Sequence, residues 1–257
     1  MSVSPISGPH RPGSGTHCRT CSLSSLCLPL ALEAQAMEEF DAIIKRRAPL
    51  VRGESLCRQG EPFSQVFTVR SGSFKQVVLD HEGEEQITHF YLPGELMGLE
   101  SIEEGSHAGF IIALERAAVC EIPFHQLDVL TERLPALRNQ LYRCMSRGMG
   151  EDRRLIRLLT CKSADERMAS FLLDLARRFE RYGYSPATFR LPMSRTDIAN
   201  YLGLVLETVS RILGRLQQQS LIALKGRELH ILQPEALYQL SESSHCHGNP
   251  ALSRSRG

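Results

Sequence analysis

The stretch that decides the fold lies in the C-terminal third of the chain, where residues 191–219 read LPMSRTDIANYLGLVLETVSRILGRLQQQ. Ser194 is followed three residues later by Asp197, which is close to a capping box, so a helix is expected to begin here. Gly203 is expected to end it. A second helix follows after a very short turn and covers residues 207–218. Two short helices joined in this way are typical of a helix-turn-helix.

The flanking residues extend this unit on both sides. Residues 221–224 and 229–232 are two β-prone runs around the turn Lys225-Gly226, a pattern that predicts a β-hairpin wing. Upstream, residues 164–182 have the periodicity of a helix. Together these elements predict a winged helix-turn-helix domain over residues 161–240.

The second helix carries side chains suited to reading DNA. Arg211 can donate two hydrogen bonds to guanine, Glu207 can accept one from the amino group of cytosine, and Ser210 can bond to a base or a phosphate. Arg195 and Arg215 are better placed for phosphates, which orient a protein on the duplex without specifying sequence. We therefore expect double-stranded DNA as a partner. A two-fold dimer would bind an inverted repeat.

The formal net charge of +1 hides a division along the chain. Residues 1–132 hold 10 Lys and Arg against 18 Asp and Glu, a net charge of −8. Residues 133–230 hold 18 against 9, a net charge of +9. The average would exclude a strongly basic nucleic-acid binder, but the C-terminal half has the positive charge that DNA binding needs.

The region before this basic half has the pattern of an antiparallel β domain. Glycines recur almost every eleven residues, and Gly83 ends a predicted hairpin turn, 80–83, in which it supplies a positive φ. Such regular turn signals predict a barrel or a sandwich. With the cysteine loop before it, this sensor domain is predicted over residues 18–123. Its predicted strands lie at 66–69, 74–79, 86–91, 109–114 and 118–122.

Residues 124–160 are predicted to form a long dimerisation helix. Asp152 stands on or beside its apolar seam, so in a parallel homodimer two carboxylates would face each other and keep the dimer marginal. The seam residues recur with alternating spacings of three and four, as in a coiled coil: Leu134, Leu137, Leu141, Cys144, Gly148, Leu155 and Leu158.

The two ends of the chain have a different composition. Residues 1–17 are rich in Ser, Gly and Pro, and they and residues 241–257 are predicted to be disordered tails. We expect no transmembrane segment, no signal peptide and no membrane partner. The expected location is the reducing cytoplasm, where disulfides are rare.

Three cysteines lie close together near the N-terminus, in the pattern Cys18-x2-Cys21-x5-Cys27. Three thiols within ten residues can surround one centre that prefers sulfur ligands. Zinc, an iron–sulfur cluster and a dithiol redox switch all fit this loop. A cubane cluster needs four thiolates, so a fourth cysteine would have to come from elsewhere in the chain.

The chain resembles the FNR-type transcription factors of the Crp–Fnr superfamily, the anaerobic regulator branch that includes Anr. The resemblance covers about residues 17 to 240. It is carried by HCRTCSLSSLC at 17–27, VCEIP at 119–123, DIANYLGL at 197–204 and ETVSR at 207–211. It implies an α+β fold with an N-terminal antiparallel jelly-roll barrel like that of cyclic-nucleotide-binding domains, a long dimerisation helix and a C-terminal winged helix-turn-helix.

The resemblance also implies a cofactor and a mechanism. Members of this branch hold an oxygen-labile [4Fe-4S] cluster, and the matching ligands here are Cys18, Cys21, Cys27 and Cys120. Without oxygen the homodimer binds DNA and recruits RNA polymerase, for which Gly83 is a candidate contact. With oxygen the cluster is lost and the repulsion at Asp152 separates the subunits. The base-reading residues of the family match those already selected on the second helix.

Other functions fit the sequence less well. The cyclic-nucleotide branch has a Gly-Glu-Leu motif followed by an Arg that clamps the phosphate. The motif is present as Gly94-Glu95-Leu96, but residues 104–109 read EGSHAG and contain no Arg, so no cyclic nucleotide is expected. A nucleotide or haem sensor would also leave the cysteine loop unexplained. No thiol stands in a pattern with a catalytic base, so no enzyme is expected.

Overall fold

A computed structural model describes residues 17–24 and 26–242. The predicted disordered tails fall almost entirely outside these residues. No helix in this part of the chain is both long enough and apolar enough to cross a membrane.

The described residues form helices and strands in the order expected of an α+β protein. The α-helices are α1 (Ala34–Ile43), α2 (Phe124–Arg133), α3 (Pro135–Cys161), α4 (Ala164–Arg181), α5 (Arg195–Leu202), α6 (Leu206–Gln218) and α7 (Pro234–Ser241). The strands are β1 (Lys45–Arg46), β2 (Ser55–Cys57), β3 (Gln65–Ser71), β4 (Phe74–Leu79), β5 (Glu85–Tyr91), β6 (Leu96–Met97), β7 (Phe110–Ala113), β8 (Ala118–Pro123), β9 (Thr188–Arg190), β10 (Ile222–Lys225) and β11 (Glu228–Ile231).

The N-terminal domain consists of two four-stranded sheets in which every pairing is antiparallel. The first sheet has the order β1-β8-β3-β6, and the second has the order β2-β7-β4-β5. Phe67 and Val119 of the first sheet share a buried cluster with Phe74 and Ile111 of the second, so the sheets pack face to face. The predicted antiparallel domain is confirmed, although hydrogen bonds between the described strands do not close it into one barrel.

The hairpin between β4 and β5 forms as the sequence predicts. Gly83 has a φ of +83°, which is unfavourable for other residues, and nothing lies within 4 Å of where a Cβ would stand. Asp80 Oδ1 accepts hydrogen bonds from the backbone N–H of Glu82 at 2.8 Å and of Glu84 at 3.0 Å. The side chain of Asp80 thus fixes the turn while its tip stays exposed.

The prediction of one helix over residues 124–160 is wrong, because the chain divides into α2 and α3 at Leu134. Pro135 has no backbone N–H, and its ring disfavours helical dihedrals in the residue before it. Leu134 accordingly has a φ of −118° and a ψ of 86°. Pro135 then occupies the first turn of α3, where a proline is well tolerated.

The apolar seam predicted on α3 for a partner subunit begins with residues that pack against the N-terminal domain of the same chain. Leu137 and Leu141 are buried against the N-terminal domain. A second row, displaced by one residue, is exposed instead. It runs Tyr142, Met145, Met149 and Ile156, and the exposed Asp152 occupies the position between the last two.

The C-terminal unit confirms the predicted winged helix-turn-helix. Ser194 and Asp197 form a complete capping box at the start of α5, and Gly203 ends that helix in a left-handed conformation with a φ of 62°. Strands β10 and β11 form the wing, to which β9 adds a third antiparallel strand that the sequence analysis did not predict.

This unit is docked against β4 and β5. Arg178 of α4, 6% exposed, donates to both carboxylate oxygens of Glu95 and to the carbonyl of Phe90. Lys75 Nζ lies 2.7 Å from Asp197 Oδ1. The Asn200 side chain accepts from the N–H of Ile87 at 2.6 Å. Removing one partner of a buried ion pair costs about 3–5 kcal/mol, so these contacts hold the helix-turn-helix to one edge of the second sheet.

Candidate cysteine site and nucleic-acid interface

The four predicted cysteine ligands meet at one cavity. Cys18, Cys21 and Cys27 reach it from the N-terminal loop, and Cys120 reaches it from β8. The remaining wall is mainly apolar. It is formed by Leu23, Ser24, Pro29, Phe40, Ile44, Thr68, Val69, Arg70 and Ile122.

The Asp41 carboxylate of α1 fastens the cysteine loop. Its Oδ1 accepts a hydrogen bond from the backbone N–H of Cys18 at 2.9 Å, and its Oδ2 lies 2.6 Å from His17 Nδ1. Arg46 of β1 also donates to Asp41. Burial alone would raise the pKa of Asp41, but these hydrogen bonds hold it well below its usual value. The carboxylate therefore stays ionised and joins the loop, α1 and β1.

The register of the first sheet fixes the surroundings of Cys120. Its partner on β1 is Arg46, and its partner on β3 is Thr68. Side chains of directly opposed residues lie on the same face of a sheet. Cys120 therefore stands between a guanidinium group and a hydroxyl group, with all three side chains toward the cysteine loop.

Burial makes these thiols hard to ionise. It raises the pKa of Cys27 to about 12 and that of Cys18 further, and Asp41 adds to the rise at Cys18. Burial also raises the pKa of Cys120, against the opposing effect of Arg70 and Arg46. Thiolates at this cavity therefore need a bound cationic centre to stabilise them, as metal ligands do.

The four cysteines form a donor set that an iron–sulfur cluster uses. Four thiolates are the usual ligands of a [4Fe-4S] cluster, and the four thiols converge on one mainly apolar cavity. One zinc ion requires four sulfurs at about 2.3 Å from a single point. Within residues 17–24 and 26–242, no three His, Cys, Asp or Glu side chains are placed to hold one metal ion.

The predicted DNA-reading residues lie on the accessible side of α6. Glu207 and Arg211 are exposed, and Ser210 is half-buried. Arg195 Nη1 donates to Ser210 Oγ at 3.4 Å, and Arg211 Nη2 donates to Thr208 Oγ1 at 3.2 Å. The structure therefore brings these side chains together on one surface, where they can reach a groove of DNA.

Arg215, predicted to contact phosphate, is exposed but forms an ion pair with Asp165 of α4. A DNA phosphate would therefore have to compete with the Asp165 carboxylate for this guanidinium. Exposed pairs of this kind contribute little to stability, so the pair can be exchanged at small cost.

Asp41 and Thr68 were missed by the sequence analysis. Neither belongs to a motif, and both come near the cysteines only through the fold. Thr68 can be assigned to the site only when the pairing of β3 with β8 is known. Asp41 can be assigned to it only when the packing of α1 beside the loop is known. No spacing in the sequence links Asp41 or Thr68 to the four cysteines.

Two family models match the chain in separate regions. A Crp-like helix-turn-helix domain matches residues 166–240, and a cyclic nucleotide-binding domain matches residues 48–133. The chain is similar to the solved structure of FixK2 from Bradyrhizobium japonicum, with 30% identity and a TM-score of 0.70. That likeness covers 77% of this chain and 97% of the other. The fold and the helix-turn-helix therefore define a transcription regulator of the Crp type.

Sequence relatives identify the family of Crp-type regulators to which the chain belongs. The chain is 51% identical over 228 residues to the transcriptional activator protein Anr of Pseudomonas protegens, covering 89% of this chain and 93% of the relative. It is 44% identical over 229 residues to the fumarate and nitrate reduction regulatory protein of Escherichia coli, covering 89% and 92%. The chain belongs to the FNR/Anr family of transcription regulators, which are DNA-binding proteins and not enzymes.

Removing the Asp41 carboxylate should make Cys18 reactive. Asp41→Ala releases the backbone of Cys18 and removes a charge that raises the pKa of its thiol, so both effects increase the thiolate fraction. We expect alkylation of Cys18 in the reduced, iron-free chain to become at least about tenfold faster, measured by peptide mass spectrometry.

Glu38→Ala is the matched control for this experiment. Glu38 lies on the same helix and also holds the loop, through Arg19 Nη1 at 2.7 Å, but that pair is exposed. Its loss should change the alkylation of Cys18 little. Equal rates in the two variants would show that Asp41 does not fasten the loop.

Truncating Arg211 should reduce discrimination between DNA sequences. Arg211→Ala removes a side chain that can pair with guanine, so specific binding should weaken by about 1–3 kcal/mol per half-site while nonspecific binding changes little. Arg195→Ala, the control, should weaken both to a similar extent and reduce the salt dependence. Fluorescence anisotropy with specific and scrambled duplexes measures the specific and the nonspecific affinity of each variant. Equal losses for Arg211→Ala would mean that Arg211 contacts only phosphate.

Proposed function

We propose that this regulator senses oxygen through a [4Fe-4S] cluster held by Cys18, Cys21, Cys27 and Cys120, and thereby controls anaerobic gene expression in the cytoplasm. One observation carries the proposal: three loop cysteines and a cysteine of a distant strand line the same cavity. When bound, the cluster supplies an oxygen-reactive centre and joins the loop to β8.

The cysteine loop is packed onto the start of α3. Leu28, the residue after Cys27, is 2% exposed and shares a buried cluster with Cys18, Leu137 and Leu141. An ordered loop therefore supplies part of the surface on which the first turns of α3 rest. If the loop is released, these leucines lose contacts that fix the position of the helix.

The exposed row of α3 is the surface proposed for the homodimer. Met149 and Ile156 are 63% and 60% exposed and continue a row that also exposes Tyr142 and Met145, and a contiguous exposed apolar surface is typical of an interaction site. Asp152 lies between them and would face its counterpart across a two-fold axis. The repulsion keeps self-association weak, so small changes in the position of α3 shift the balance between monomer and dimer.

A dimer presents two copies of α6 to DNA and so fits an inverted repeat. Glu207, Ser210 and Arg211 would read base edges, while Arg195 and Arg215 would contact phosphates. From the family resemblance, the hairpin at Gly83 is proposed as a contact for RNA polymerase, and its exposed tip leaves room for a partner.

A cyclic nucleotide is not proposed as the ligand. The motif glutamate Glu95 is 10% exposed on its side chain and is already bound by Arg178 at both oxygens. Although burial raises the pKa of Glu95, Arg178 brings it below its usual value. This carboxylate is therefore committed to an internal ion pair, and residues 104–109 offer no Arg to bind a phosphate.

Purification without oxygen tests the proposal. We expect a brown protein with four irons per chain that binds an inverted-repeat duplex and loses colour and affinity in air. Cys120→Ala should prevent loading, whereas Cys57→Ala, which removes a buried thiol from the core between the two sheets, should not. Iron analysis, absorbance and mobility shift provide the measurements. A colourless protein with one zinc per chain and air-stable binding would contradict the proposal.

Asp152→Ala should strengthen self-association of the cluster-free chain. Removing the facing carboxylates should lower the dimer dissociation constant about tenfold, or ~1.4 kcal/mol, as measured by sedimentation velocity. Glu151→Ala is the control, because Glu151 faces its own domain, with Oε2 at 3.6 Å from His89 Nε2. An unchanged dissociation constant for Asp152→Ala would show that Asp152 does not oppose dimerisation.

A further inference from the structure

Thr68 has a buried hydroxyl group without a hydrogen bond. Its side chain lines the cysteine cavity, the residue is 3% exposed, and Oγ1 makes no hydrogen bond to any described residue. Leaving such a group unsatisfied in a protein interior is destabilising. Valine has the same shape, suits a β-strand well and would avoid this cost. The hydroxyl therefore indicates an acceptor that is present when the site is complete.

Two contacts define where that acceptor lies. Thr68 is directly opposite Cys120 in the pairing of β3 with β8. Its side chain also lines the same cavity as the Cys27 side chain. The hydroxyl thus lies at the cavity of the four proposed ligands, and the described protein offers it no oxygen or nitrogen acceptor.

We propose that the Thr68 hydroxyl donates a hydrogen bond to an anionic sulfur of the cluster site, either a thiolate of Cys27 or Cys120 or an inorganic sulfide. This inference rests on the proposed iron–sulfur function and assigns a residue that tunes it. Hydrogen bonds to the sulfurs are one of the factors that set the potential of such centres. By stabilising negative charge on sulfur, Thr68 favours the more electron-rich form and so slows the oxidation that begins loss of the cluster in air.

The chain contains a matched control for this role. Thr88 on β5 is the other residue whose buried hydroxyl lacks a partner among the described residues, and it belongs to the second sheet, whereas Thr68 and Cys120 belong to the first. Thr68→Val and Thr88→Val are therefore the same chemical change, made at and away from the cysteine site.

The experiment compares full-length proteins loaded without oxygen. We measure iron per chain, the midpoint potential and the rate of absorbance loss after mixing with air-saturated buffer. Thr68→Val should load as the wild type does, have a lower potential and lose its absorbance at least about threefold faster. Thr88→Val should match the wild type in all three. Thr68→Ser, which keeps the hydroxyl, should restore most of the difference.

Each remaining result overturns or supports the assignment. A loaded Thr68→Val with wild-type potential and decay rate overturns it and leaves the proposed function intact, since the hydroxyl would then serve only an internal water. If Thr68→Val fails to load, loading of Thr68→Ser supports the hydroxyl contact, and failure of both shows that only the shape of Thr68 matters. A wild-type chain that binds no iron overturns the proposed function and this inference together, before any variant is compared.

Discussion

The Asp41 carboxylate is the contact on which the cysteine site depends, because it joins the N-terminal cysteine loop to α1 and to β1, the strand that follows α1. It accepts the backbone N–H of Cys18, pairs with His17 and binds Arg46. Arg46 is in turn the strand neighbour of Cys120. Charge and backbone hydrogen bonds thus help to place the loop and the distant cysteine around one cavity.

The same segments connect the cavity to the rest of the molecule. The residue after Cys27 is buried against Leu137 and Leu141 on one face of α3, while the other face exposes Met149, Asp152 and Ile156. One helix therefore touches the cysteine loop on one side and carries the proposed dimer surface on the other. A change in loop order can reach the dimer surface through a single rigid element, without a longer chain of contacts.

Local signals in the sequence were enough to predict the elements with strong caps and turns. Ser194, Asp197 and Gly203 define α5 through side-chain and backbone chemistry that needs no tertiary contact. The same holds for the turn at Gly83.

Where tertiary packing decides, the sequence was insufficient. In the apolar row chosen for the dimer, Leu137 and Leu141 are buried in the chain itself and the other members are half-buried, because two rows of α3 are apolar and only the fold shows which one the N-terminal domain covers. Short strands such as β1 and β6 have too few residues to show a period.

The nucleotide-binding fold and the cysteine site occupy different places in one domain. Glu95, the residue that would serve a nucleotide, is paired with Arg178 of α4 and instead helps hold the DNA-binding unit against β4 and β5. The cysteine cavity lies against the first sheet, between the N-terminal loop, α1, β3 and β8. The cysteine cavity does not involve Glu95, which serves instead as a contact to the DNA-binding unit. The match to a cyclic nucleotide-binding domain therefore describes the architecture of this chain, while the placement of its charged and thiol side chains determines what that architecture can sense.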